Sequence, residues 1–106
     1  IQSPKRVIQN FIHAANIDGK LLGDDRVINL PGLTVTVKDM INSLEKITSP
    51  EVTKLIYHEP DAFLQSIVLT WPPHFDPKTA VRLGFVSDAS SEEIIRTFIE
   101  EEGIAI

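Results

Sequence analysis

The chain has no cysteine, which excludes disulfides, thiolate nucleophiles and sulfur-ligated metals. That composition fits a reducing compartment, and a cytoplasmic location is expected. No uninterrupted apolar run exceeds three or four residues, far short of the roughly 20 that span a bilayer. No charged n-region followed by an apolar h-region stands at the start, so no signal peptide is read. Basic residues are few and scattered: ten Lys and Arg stand against fifteen Asp and Glu, for a net charge of −5. A nucleic-acid binder carries a basic stripe, so that partner class is disfavoured along with the membrane. The five glycines, at positions 19, 23, 32, 84 and 103, form neither G-x-G-x-x-G nor a P-loop. Nothing in these residues cradles a phosphate or a dinucleotide.

What is present reads as one folded domain, residues 1–106. Hydrophobic residues make up 42%, well above the disordered range. A domain this small buries roughly 65% of its unfolded surface, so its own core is modest. The chain opens at Ile1, without methionine and already at the lip of a helix. It is expected to be a piece of a longer protein.

The helix punctuation is legible. Ser3-Pro4 supplies an N-cap and a proline at the first helical position, and Val7, Ile8, Phe11, Ile12 and Ala15 follow at helical spacing. An amphipathic helix is predicted over 4–16. Arg26–Leu30 is β-prone and closed by Pro31-Gly32, which predicts a short strand. Thr36 with Asp39 has capping-box spacing, and Val37, Met40, Ile41, Leu44 and Ile47 supply the buried face of the helix behind it. Ser49-Pro50 starts another short helix, and 55–58 is read as a second strand. Pro60-Asp61 opens a helix carrying Leu64, Ile67, Val68 and Trp71 on one face, ended by Pro72-Pro73. Asp76-Pro77 starts the next helix and Gly84 stops it; Ser90 with Glu93 starts the last, with Ile94, Ile95, Phe98 and Ile99 inward, and Gly103 stops that one. The predicted class is α+β: a mostly helical small lobe with two short strands.

Tests for chemistry find little. His13 lies beside an apolar helical face with no second ligand near in sequence, so a structural or surface role is expected. His58-Glu59 is not an H-E-x-x-H zinc pair, because Asp61 and Ala62 stand where the second histidine would have to be. No metal is indicated. No serine sits in a G-x-S-x-G elbow, and Glu100-Glu101-Glu102 reads as the solvated end of a helix. The Ser3-Pro4-Lys5-Arg6 opening either caps its helix or binds an anion there. Trp71 is either the last core residue of its helix or, fixed by the two prolines behind it, the wall of a pocket. No catalytic residue is assigned.

Two stretches then stand out together. RVINLPGLTVTVKDMINSLEKI, residues 26–47, resembles a strand-glycine-helix segment in the C-terminal half of the extended short-chain dehydrogenases/reductases, the NAD-dependent epimerase/dehydratase family. FDPKTAVRLGF (75–85) is similar to that family's late helix, DASSEEIIRTFIEEE (88–102) to its terminal helix, and SPKRVIQNFIHAANI (3–17) adds to the match. The resemblance covers essentially all 106 residues.

It implies a two-lobed parent. An N-terminal Rossmann domain would hold NAD and the Ser/Tyr-x-x-x-Lys set, and this lobe would pack on it and close over a small-molecule substrate. Tyr57 is followed four residues later by Asp61 rather than lysine, so it does not match the catalytic tyrosine. The resemblance makes His58, Asp61, Trp71 and Lys5 the candidates for lining the substrate cleft. Positions 57–75 hold no Arg or Lys where nucleotide-sugar enzymes of the family use arginines, which points to a small hydroxy or sugar acid such as D-erythronate. A nucleotide-sugar epimerase or dehydratase lobe and a stand-alone, non-catalytic interaction module are the alternatives, and a homodimeric parent is compatible with the resemblance.

Overall fold

A computed structural model describes all of residues 1–106. Six α-helices account for its regular structure: α1 (Pro4–Asn16), α2 (Val37–Ile47), α3 (Pro50–Thr53), α4 (Ala62–Val68), α5 (Lys78–Arg82) and α6 (Ser91–Glu101), with a 3₁₀ turn at Gly19–Leu22 between α1 and α2. The capping residues act as their chemistry dictates. The Ser3 hydroxyl accepts from Arg6 N with Pro4 at the first helical position. Thr36 and Asp39 form a complete capping box, each side chain accepting from the other's backbone N–H. Asp61 caps α4 and Ser90 caps α6. At the end of α5, Phe85 N donates to Ala80 O and Gly84 N to Val81 O, a Schellman stop with Gly84 left-handed at φ 89. Gly103 ends α6 by the same device.

The two predicted strands are not there. Residues 26–30 have no regular structure, and 55–58 run from a turn at Leu55 into irregular chain; neither segment pairs with a neighbour in a ladder. A strand needs a partner for its N–H and C=O groups, and β-propensity alone supplies the conformation without the ladder. The fold is therefore a helical slab in which only Leu33 and Ile1 exchange both backbone bonds, at 2.9 and 2.6 Å.

A second correction concerns which faces are inside. The predicted apolar stripe of α1 points outward: Ile8, Phe11 and Ile12 are each more than half exposed. The buried side of α1 is polar, with Ser3, Arg6, Asn10 and His13 spaced 3-4-3 along one face. The Asp88 carboxylate, itself buried, accepts from Ser3 N at 2.7 Å and Ser3 Oγ at 2.6 Å. Asn10 clasps the backbone of Val86 in both directions, at 2.8 and 2.9 Å. His13 Nε2 donates to Leu83 O at 2.6 Å, and its ring meets Phe85 edge-on at 4.8 Å. Arg6 completes the seam by pairing with Glu93 at 3.0 Å. Trp71, read as core or pocket wall, is 64% exposed.

The cause is a shortage of opposing layers. The molecule measures 51 × 36 × 16 Å, scarcely more than one helix thick, and α2 packs against α6 and α3 while α4 leaves its whole apolar face open. Only eight of 106 residues are buried, and Ser3, Asn10, Ser43 and Asp88 are among them. The radius of gyration is 16.9 Å, where a compact domain of this length has about 13 Å. The accessible surface is 8273 Å², where a compact monomer of this mass exposes about 5,900 Å².

Candidate functional site

The largest concavity is a cleft of about 680 Å³ between α2 and α4. Val37 and Ile41 of α2 form one wall, and Leu64, Gln65 and Val68 of α4 with Leu69 at its C-cap the other. The chain from Ile56 to Asp61 lines the rest of it. Pro60 drives Glu59 out of the α region, so no helix runs into α4 from this side. Asp61 stands at the N-cap of α4.

Asp61 is partly committed: its Oδ1 accepts from Leu64 N at 3.0 Å, while Oδ2 makes no hydrogen bond. Tyr57, His58, Glu59 and the Gln65 amide supply the remaining polar lining, and no Lys or Arg reaches the cleft. No nucleophile-base pair is joined by a hydrogen bond there. The arrangement can accept and donate hydrogen bonds to hydroxyl groups, and its acidic lining disfavours anions.

Of the residues singled out from sequence, the structure brings His58 and Asp61 together in this cleft. Lys5, on the exposed first turn of α1, and Trp71, beyond the end of α4, lie outside its lining. The walls from α2 went unassigned in the sequence, although Val37 and Ile41 share a helical face that could have flagged them. The anion reading of the Ser3–Arg6 turn is answered internally: the Asp88 carboxylate occupies that helix end.

A second hollow of about 330 Å³ continues from the cleft between α2 and α6. It shares Val37, Ile41 and Ile56 with the cleft and adds Met40, Leu44, Ile94 and Ile95, so its walls are almost wholly apolar. Two carboxyls elsewhere are held below their usual range. Asp39 is lowered by hydrogen bonds from Thr36, and Glu93 by the Ala89 N–H and then by Arg6. Both are structural. No three His, Asp or Glu side chains group so as to hold a metal ion, and no helix is long and apolar enough to cross a membrane.

No family model matches the chain. It is 38% identical over 103 residues to D-erythronate dehydrogenase from Cupriavidus necator strain H16, covering 97% of this chain and 32% of that protein. It is 37% identical over 100 residues to D-erythronate dehydrogenase from Haemophilus influenzae strain Rd, covering 94% and 32%. The chain thus spans about a third of the length of the curated relatives it matches. Among solved structures it superposes with a TM-score of 0.90 on a nucleoside-diphosphate-sugar epimerase from Agrobacterium tumefaciens, at 37% identity over 95% of this chain and 30% of the other. The likeness drawn from residues 3–17, 26–47 and 75–102 is borne out by these dehydrogenases.

Proposed function

We propose that these residues form the substrate-side lobe of an NAD-dependent oxidoreductase that acts on a small hydroxy or sugar acid such as D-erythronate. Its larger N-terminal lobe, of Rossmann type, would hold NAD and the catalytic groups. The observation that carries this reading is the near-complete match to D-erythronate dehydrogenases by a slab that covers only 32% of them. The slab's open apolar faces support it, since an excess of roughly 2,400 Å² over a compact monomer is the kind of surface a partner layer covers.

In this reading the 680 Å³ cleft holds the substrate's hydroxylated end, with His58, Asp61 Oδ2 and Gln65 as its partners. The substrate's carboxylate would be held by the larger lobe, because the cleft offers no cation. A compartment without oxidising chemistry, the cytoplasm, suits a chain free of cysteine.

A second reading is a lobe of a nucleotide-sugar epimerase, favoured by the 0.90 TM-score to a protein of that name. The lack of Lys and Arg in the cleft opposes it, since a diphosphate needs paired cations. The experiment is an NADH-release assay on the parent polypeptide with D-erythronate and other aldonic acids, beside an epimerisation assay with UDP- and GDP-sugars. NADH release with the acids supports the first reading; turnover of the nucleotide sugars alone overturns it.

A further inference from the structure

Residues 26–30 have a strand's sequence and no strand's partner. Arg26, Ile28 and Leu30 line a hollow shared with Phe11 and Phe85, and Val27, Ile28 and Asn29 line a second hollow beside Asp76 and Arg82. No backbone group from 26 to 30 bonds to another backbone group, and Val27 N alone has a protein acceptor, Asp25 Oδ1 at 3.0 Å. The N–H groups of Ile28, Asn29 and Leu30 are therefore open, and Val27 is 76% exposed. A β-prone stretch with adjacent Val27 and Ile28 and with free N–H and C=O groups is a template for strand addition. Three residues on, the same segment already pairs where a partner exists: Leu33 and Ile1 exchange both bonds in an antiparallel rung.

We propose that Arg26–Leu30 is the receiving edge for a β-strand of the larger lobe, so that the two lobes are joined by backbone pairing as well as by apolar contact. This rests on the reading given under Proposed function. The length of chain outside these residues favours that occupant: the curated relatives carry about two thirds of their length beyond the match. The excess exposed area points the same way. At roughly 2,400 Å² it exceeds the ~800 Å² per partner of a standard interface and fits the packing of a whole lobe.

The test is residue-resolved amide hydrogen exchange on the parent polypeptide at two protein concentrations tenfold apart. In a paired edge strand alternate N–H groups are bonded, so either Ile28 and Leu30, or Asn29 alone, exchange roughly a hundredfold or more slower than in an unstructured peptide. Fast exchange at all three positions overturns the proposal. Uniform slowing of all three, without alternation, indicates burial without pairing and overturns it too. Protection that rises with concentration assigns the edge to a second copy and equally rejects the larger lobe. NADH release from D-erythronate, measured on the same sample, separates the two readings. Activity with fast amides sinks the strand pairing alone, whereas alternating protection without activity on any aldonic acid sinks the proposed function alone.

Discussion

Replacing Asn10 by alanine should destabilise this chain more than removing the large Phe11 ring beside it, the reverse of the usual order for a helix. Asn10 is 1% exposed and makes two bonds to Val86, at 2.8 and 2.9 Å. Asn10→Ala removes both and leaves a backbone N–H and C=O without partners in a place water reaches poorly. A lost bond of this kind costs about 1 kcal/mol, and stranding its buried partner raises the total for the pair to about 2–4 kcal/mol. Phe11 is 68% exposed, so only about a third of the roughly 3 kcal/mol for burying a large side chain is at stake, about 1 kcal/mol. Urea unfolding of the 106-residue chain, followed by Trp71 fluorescence and far-UV circular dichroism, reads both variants. The expected result is a midpoint lowered two to four times as far by Asn10→Ala as by Phe11→Ala. A larger drop for Phe11→Ala would refute the polar seam as the attachment of α1. In the parent polypeptide the order should narrow or invert, as Phe11 gains a covering layer.

Gly84→Ala meets two obstacles, a φ of 89 and contacts of 3.1 and 3.3 Å between the new Cβ and the His13 ring, whereas Gly23→Ala at φ 63 meets nothing within 4 Å. The first should cost about 2–3 kcal/mol and the second about 1 kcal/mol in thermal or urea unfolding, and adding His13→Ala should relieve part of the Gly84→Ala effect. Glu93 is held below its usual 4.5 by Ala89 N–H and Arg6 in the folded state, so its contribution is present above that value and lost as pH falls through the folded pKa. Unfolding midpoints should hold steady from pH 7 to about 5 and drop below about 4.5, and Glu93→Gln should flatten that drop. In the parent, His58→Ala and Asp61→Asn should raise KM for the sugar acid about tenfold each while leaving the KM for NAD unchanged, as steady-state kinetics would read. Lys5→Ala should leave both constants where they are.

Helix ends were legible because each is decided by two or three adjacent residues. Ser3-Pro4, Thr36 with Asp39, Asp61, Gly84 and Gly103 all act locally, and all act as their chemistry requires. Asp76 differs by one position: it caps through Lys78 N, and α5 begins a residue later than its Asp-Pro signal suggests. What fails is the inference from an apolar stripe to an inside. The stripe Ile8-Phe11-Ile12 says which face of α1 avoids water, but not which molecule covers it, and here the chain leaves each of the three more than half exposed. The polar seam was readable in principle from the 3-4-3 spacing of Ser3, Arg6, Asn10 and His13. It was masked by the expectation that apolar faces turn inward within the chain itself. The strands failed for the same reason, since pairing belongs to a partner and β-propensity to the residue. His58 and Asp61 fell together because they stand three residues apart in one segment, whereas Trp71 and Lys5 depended on how distant segments close.

If this slab is one lobe of a longer enzyme, the intact mass of the native, untagged polypeptide from its source cells will show it. A chain about three times the 11.8 kDa of these residues is expected, in line with the 32% coverage of both dehydrogenases. A native polypeptide of 11.8 kDa would contradict it, leaving a free-standing module whose open faces bind some other partner.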